Sequence, residues 1–180
     1  MKIRPIVSRI GARYGLVAGV LAVVAYLTFY YLGLQPWRNL ISFLVDIVII
    51  GLFCFIPMRE FKLEHNQGEF RFYHGMSIGF VSYLSVALVS SIFFAVFINW
   101  IEPSFMDTYK IVQLEEMKGM KEMITSRVDE NPEEYFQKQL DAIASITKSQ
   151  LILDVFLKKA IIGLFMTPIL SLVLRTHKAQ

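Results

Sequence analysis

Four ionisable side chains stand inside runs that are otherwise apolar. Asp46 lies in the run 39–58, and Asp154, Lys158 and Lys159 lie in the first half of the run 151–174. A charge in a membrane-length segment costs about 2.5–3.5 kcal/mol on insertion scales and normally faces a partner or a wet cavity. Asp46 sits about seven residues past Asn39 and Lys158 about seven past Leu151, so each lies about 10 Å into segments that run in the same direction. The register predicts a pair between Asp46 and Lys158 or Lys159. Asp154 precedes Lys158 by one helical turn and competes for it. Three chemistries fit the cluster: a structural ion pair with lysines snorkelling to headgroups, an anionic lipid or polyprenyl-phosphate headgroup held by Lys158 and Lys159, or a proton or ion relay through Asp46. The relay lacks a second acid in mid-span.

Other chemistry is not offered. No stretch pairs a nucleophile with a base or builds a phosphate loop, so neither catalytic residues nor a cofactor is expected. Cys54 is a lone cysteine in an apolar run, which leaves no partner for a disulfide or a cysteine metal cluster. His65, His74 and His177 have no ligand spacing, and no metal site is expected. Met106, Met117, Met120 and Met123 read as a pliable apolar face rather than a copper site. Hydroxyls at Ser77, Ser82, Ser85, Ser90, Ser91 and Tyr83 are expected to bond helix carbonyls rather than line a polar path.

The elements that must position these residues are membrane helices. Between Arg71 and Glu102 no residue is charged, and as a helix this run reaches about 45 Å, more than the roughly 30 Å of a bilayer's hydrocarbon. At 55% hydrophobic and 18% charged the chain is too apolar for an ordinary soluble domain. The expected architecture is an all-α integral membrane four-helix bundle in a single domain, residues 1–180. Its spans fall at about 14–34, 39–58, 74–101 and 151–174. The basic stretch before the first span is like that of a signal peptide, but the apolar run is too long, and an uncleaved span is expected.

An extramembrane helical hairpin is expected between spans three and four, with helices at about 103–127 and 132–148. Asn131, Pro132 and Glu134 supply an N-cap, a proline at N1 and an acid at N3. Phe136, Leu140, Ile143 and Thr147 give the second helix an apolar stripe. Basic residues gather at the ends of apolar runs: Lys2, Arg4, Arg9, Arg13, Arg59, Lys62, Arg71, Arg175 and Lys178 share one side. Their density predicts cytoplasmic termini and contact with anionic lipid, and argues against nucleic acid as the partner of a chain of net charge +3.

Small residues four apart let helices approach closely in lipid. Gly15 and Gly19 open the first span and Gly75 and Gly79 the third, so the first and third spans are predicted to cross there; a homodimer crossing is the alternative. Gly51-Leu52-Phe53 with Pro57 and Gly163-Leu164-Phe165 with Pro168 extend the parallel into a two-plus-two repeat.

The basic N-terminus, Tyr14-Gly15 with Gly19, Gly68 ahead of an aromatic entry with Gly75 and Gly79, and Ile101-Glu102-Pro103-Ser104-Phe105 at the exit of the third span resemble domain-of-unknown-function family 4199. Glu102 stands where that family usually shows Asp. The resemblance implies a small four-span bacterial inner-membrane protein and transfers no catalytic residue. The reading is a non-catalytic accessory or scaffold protein of the bacterial envelope, its outer hairpin contacting a protein partner or a lipid. The alternative is a small transporter or lipid-handling protein using Asp46, Lys158 and Lys159.

Overall fold

The computed structural model describes residues 5–127 and 131–176, so Lys2, Arg4, His177 and Lys178 lie outside the described residues. The chain is helical, with α1 (Pro5–Tyr31), α2 (Leu40–Glu60), α3 (Phe72–Val96), α4 (Phe105–Gly119), α5 (Lys121–Thr125), α6 (Pro132–Ala144) and α7 (Lys148–Leu174). Single π-helical turns, Phe61–His65 and Phe97–Ile101, prolong α2 and α3. Among the described residues four helices are long and apolar enough to cross a membrane: Pro5–Tyr31, Leu40–His65, Phe72–Ile101 and Lys148–Leu174. The protein is an integral membrane helical bundle.

Helix boundaries follow local chemistry. Gly33, at φ 74°, ends α1; its N–H bonds to Tyr30 O and that of Leu34 to Phe29 O, a Schellman closure that needs the left-handed residue. Asn39 caps α2 by accepting from the Ile41 N–H at 2.8 Å. The second span was expected to stop near Met58, yet the helix runs on through Pro57 to Glu60 and the π turn. Burial explains the extension, since Met58 is 0% and Phe61 1% exposed. Proline removes one donor without ending a helix whose next turn is held by packing.

The chain forms two compact units, Met1–Phe93 with Asp154–Gln180, and Phe94–Leu153. In the first, half of the apolar window of α3 is buried, against 33% for α1 and 28% for α2 and α7, so α3 is the central helix. Gly11 of α1 lies against Ile78, Gly15 against Ser82 and Ser85, and Gly19 against Val89, an advancing series that makes α1 and α3 parallel. Gly75 meets Ser171, Gly79 meets Thr167, and Gly163 meets Tyr83, which sets α7 antiparallel to α3. The opposite face of α1 leaves Leu16, Val17, Val20, Leu21 and Val24 exposed. Apolar surface of that extent belongs in lipid.

In the second unit α6 folds back on α4 and α5. The expected single helix at 103–127 is broken after Gly119, where a residue without a side chain costs a helix about 1 kcal/mol. The second expected helix ends at Ala144 rather than near 148. Thr147 does not extend its stripe: its N–H bonds to Gln150 Oε1 at 2.7 Å and the Gln150 N–H returns to Thr147 Oγ1 at 3.4 Å. This capping box starts α7. Asn131 adopts a left-handed conformation, φ 48°, and makes no side-chain cap, contrary to the expected N-cap role. Asparagine tolerates that region better than most residues.

Candidate functional site

The intramembrane charges resolve into two pairs. Lys159 of α7 donates from Nζ to Asp46 Oδ1 of α2 at 2.6 Å, with side-chain exposures of 9% and 28%. Lys158 meets Asp154 Oδ2 at the same 2.6 Å within α7, but there the exposures are 55% and 48%. Adjacent residues on a helix point about 100° apart. One lysine therefore enters the bundle while its neighbour stays on the outer face with Asp154. Neither ammonium is left without a carboxylate.

A second cluster ties α1 to the end of α2. Arg13 Nη2 donates to Glu60 Oε1 at 2.9 Å and Oε2 at 2.8 Å, and the Tyr14 hydroxyl donates to Oε2 at 2.5 Å. The Arg13 guanidinium also lies 4.9 Å from the Tyr14 ring centroid. Glu60, Glu64 and His65 offer ligand atoms within 4.8 Å of one another. A cation there would have to displace Arg13 from Glu60, and Glu64 and His65 are exposed. His74, by contrast, is buried beside Phe61, 5.0 Å between ring centroids, and Tyr73, at 4.2 Å.

Several hydroxyls serve helix backbones, whereas Ser90, expected to do the same, is buried with no hydrogen-bond partner among the described residues. Ser85 bonds to Val81 O, Ser91 to Ala87 O and Ser171 to Thr167 O, each at 2.6–2.8 Å, and Ser82 crosses to Gly11 O at 3.2 Å. Cys54 is buried and free, its Sγ 3.9 Å from Gly79 O.

The family model described as "Protein of unknown function (DUF4199)" matches residues 13–176. The chain belongs to this family. No curated protein and no solved structure matches it. The DUF4199 description names no activity.

Within this DUF4199 chain the expected close approach of the first and third spans is present, but only one of the two glycine pairs makes it. Gly15 and Gly19 do face α3, but Gly75 and Gly79 face α7 rather than α1. In a two-fold arrangement the α3 pair would look back at α1. The packing here is therefore not two-fold, and Gly51, which meets Met166, and Gly163, which meets Tyr83, differ in the same way. Sequence reading also missed Glu60 as the partner of Arg13. The available signal was that both sit at span ends on the same side, with Tyr14 next to Arg13.

Proposed function

We propose that the protein is a non-catalytic accessory or scaffold protein of the bacterial inner membrane, both termini cytoplasmic, whose hairpin between the third and fourth spans contacts an envelope partner or a lipid headgroup. The observation that carries this reading is the surface of the second unit. Its core is closed by Phe97 and Phe105, 5.7 Å between centroids, with Phe94 at 5.5 Å from Phe105 and Phe136 buried on α6. Yet Ile111, Met120, Met123 and Tyr135 remain 40–57% exposed among charged neighbours. Flexible methionines beside a phenol make an adaptable contact face. Orientation draws support from the short basic segments that flank the spans, with Arg9, Arg13, Arg59, Lys62, Arg71 and Arg175.

Site-specific photo-cross-linking in native membranes tests the proposal. A photoreactive residue at Ile111, Met120, Met123 or Tyr135 is expected to give a discrete protein or lipid adduct, while Glu115 and Lys118 give none. Absence of adducts at all four apolar positions contradicts it.

One observation favours the second reading, a transporter or polyprenyl-lipid-handling protein. Asp46 keeps a side-chain exposure of 28% inside a span. That reading predicts that Asp46→Asn abolishes uptake or lipid turnover with unchanged melting. The scaffold reading predicts a loss of stability instead.

A further inference from the structure

At the end of the first unit, where the α2–α3 connection meets the C terminus of α7, lies an open groove of about 730 Å³. Arg71, Phe72, Tyr73, Arg175 and Thr176 line it, and Glu69 also contributes to its wall. Its backbone is tied together across the two segments. The Thr176 N–H donates to Phe70 O at 2.9 Å, the Phe70 N–H to Thr176 Oγ1 at 2.9 Å, and the Thr176 hydroxyl to Gly68 O at 2.9 Å. Lys62 Nζ caps the last turn of α7 through Leu174 O at 3.0 Å. Beneath, Phe61 and Phe70 are each 1% exposed and both pack on His74. The walls are thus held before any ligand arrives.

Arg71 and Arg175 are both exposed. Among the described residues neither guanidinium has an ion pair or side-chain hydrogen bond, whereas Arg13 is occupied by Glu60. Set against Glu69, they leave the lining with an excess of positive charge. We propose that this groove binds the phosphodiester headgroup of an anionic membrane lipid, with Arg71 and Arg175 as the phosphate ligands. A guanidinium fork matches phosphate oxygens in bidentate geometry. The surroundings select a lipid over a soluble anion. Phe72 and Tyr73 are 39% and 43% exposed at the start of a span, the depth at which aromatic rings meet headgroups. Just ahead of Arg175, Leu172 and Val173 are 57% and 71% exposed, an apolar track for acyl chains. This site is distinct from the Lys158–Lys159 cluster, about 24 Å away along α7.

The test uses the full chain in a neutral detergent, titrated with dioleoyl phosphatidylglycerol and followed by native mass spectrometry. One saturable adduct is expected, weakened about tenfold, roughly 1.4 kcal/mol, in R71Q/R175Q. Lys158→Gln should leave it unchanged. An adduct of equal affinity with dioleoyl phosphatidylcholine, or one retained in R71Q/R175Q, overturns the proposal. So does equal weakening by Lys158→Gln, which would mark a diffuse charge effect. Displacement by excess inorganic phosphate would make the groove a soluble-anion site and overturn the lipid assignment. Should R71Q/R175Q fail to fold, Arg175→Gln alone, past the last helix, carries the test: unchanged affinity there overturns the assignment.

Discussion

Lys158 and Lys159 are neighbours in sequence, and each lies 2.6 Å from a carboxylate, but they are not equivalent. The Lys158–Asp154 pair spans one turn of a single helix on the exposed side, where such pairs contribute about 0.2–0.5 kcal/mol. Lys159–Asp46 joins two helices, and its ammonium is withdrawn from the surroundings. Distance alone does not rank them. What separates them is burial and whether the bond fixes one helix against another. In a lipid phase, where apolar contact between helices gains little, a cross-helix pair also sets register.

The largest expected effect comes from breaking the buried pair on one side only. Lys159→Met, leaving Asp46 without its partner, is expected to destabilise the bundle by about 3 kcal/mol in denaturant titration from mixed micelles. A residue type can be split in the same way. Gly15→Val drives a side chain into Ser82 and Ser85 and is expected to cost about 2 kcal/mol. Gly119→Ala meets nothing within 4 Å and is expected to gain about 0.5 kcal/mol by helix propensity. Lys158→Ala removes only the exposed pair, with a loss of about 0.3 kcal/mol. The smallest effect concerns Glu134, whose carboxyl is held below the usual range by a hydrogen bond from Lys138. Its folded-state value is the lower one, so its contribution is present above the unfolded carboxylate range and is lost as pH falls through the folded value. Circular dichroism of wild type against Lys138→Ala should show that small acid-side difference in helix content.

Where the sequence carried a one-dimensional signal, it located the structure. The uncharged run from Phe72 to Ile101 coincides with the third candidate span. Depth could also be counted: seven residues into parallel segments put Asp46 level with Lys158 and Lys159. Facing could not, because a one-residue step turns a side chain by about 100° and only packing decides which lysine points inward. The same limit applies to Gly75 and Gly79, whose spacing announces close approach without naming the neighbour. Glu60 and Thr176 were harder to read for another reason. Their partners, Arg13, Phe70 and Gly68, are remote in sequence; the shared span-end position of Arg13 and Glu60 hints at a pair without fixing it, and nothing in the sequence marks what Thr176 clasps. Thr147 is the exception, since the Thr147-x-x-Gln150 capping box was present in the sequence and its helix-start meaning was outweighed by an apolar stripe.

Double-mutant cycles on the two lysine pairs test most directly the claim that the intramembrane charge is structural. Asp46→Leu, Lys159→Met and their combination are compared by unfolding free energy with Asp154→Ala, Lys158→Ala and theirs. The account predicts a coupling of about 2–3 kcal/mol for Asp46–Lys159, with the charge-free double variant regaining most of the lost stability, and a coupling below about 0.5 kcal/mol for Asp154–Lys158. Equal couplings, or single substitutions at Asp46 and Lys159 that leave unfolding unchanged, would contradict it.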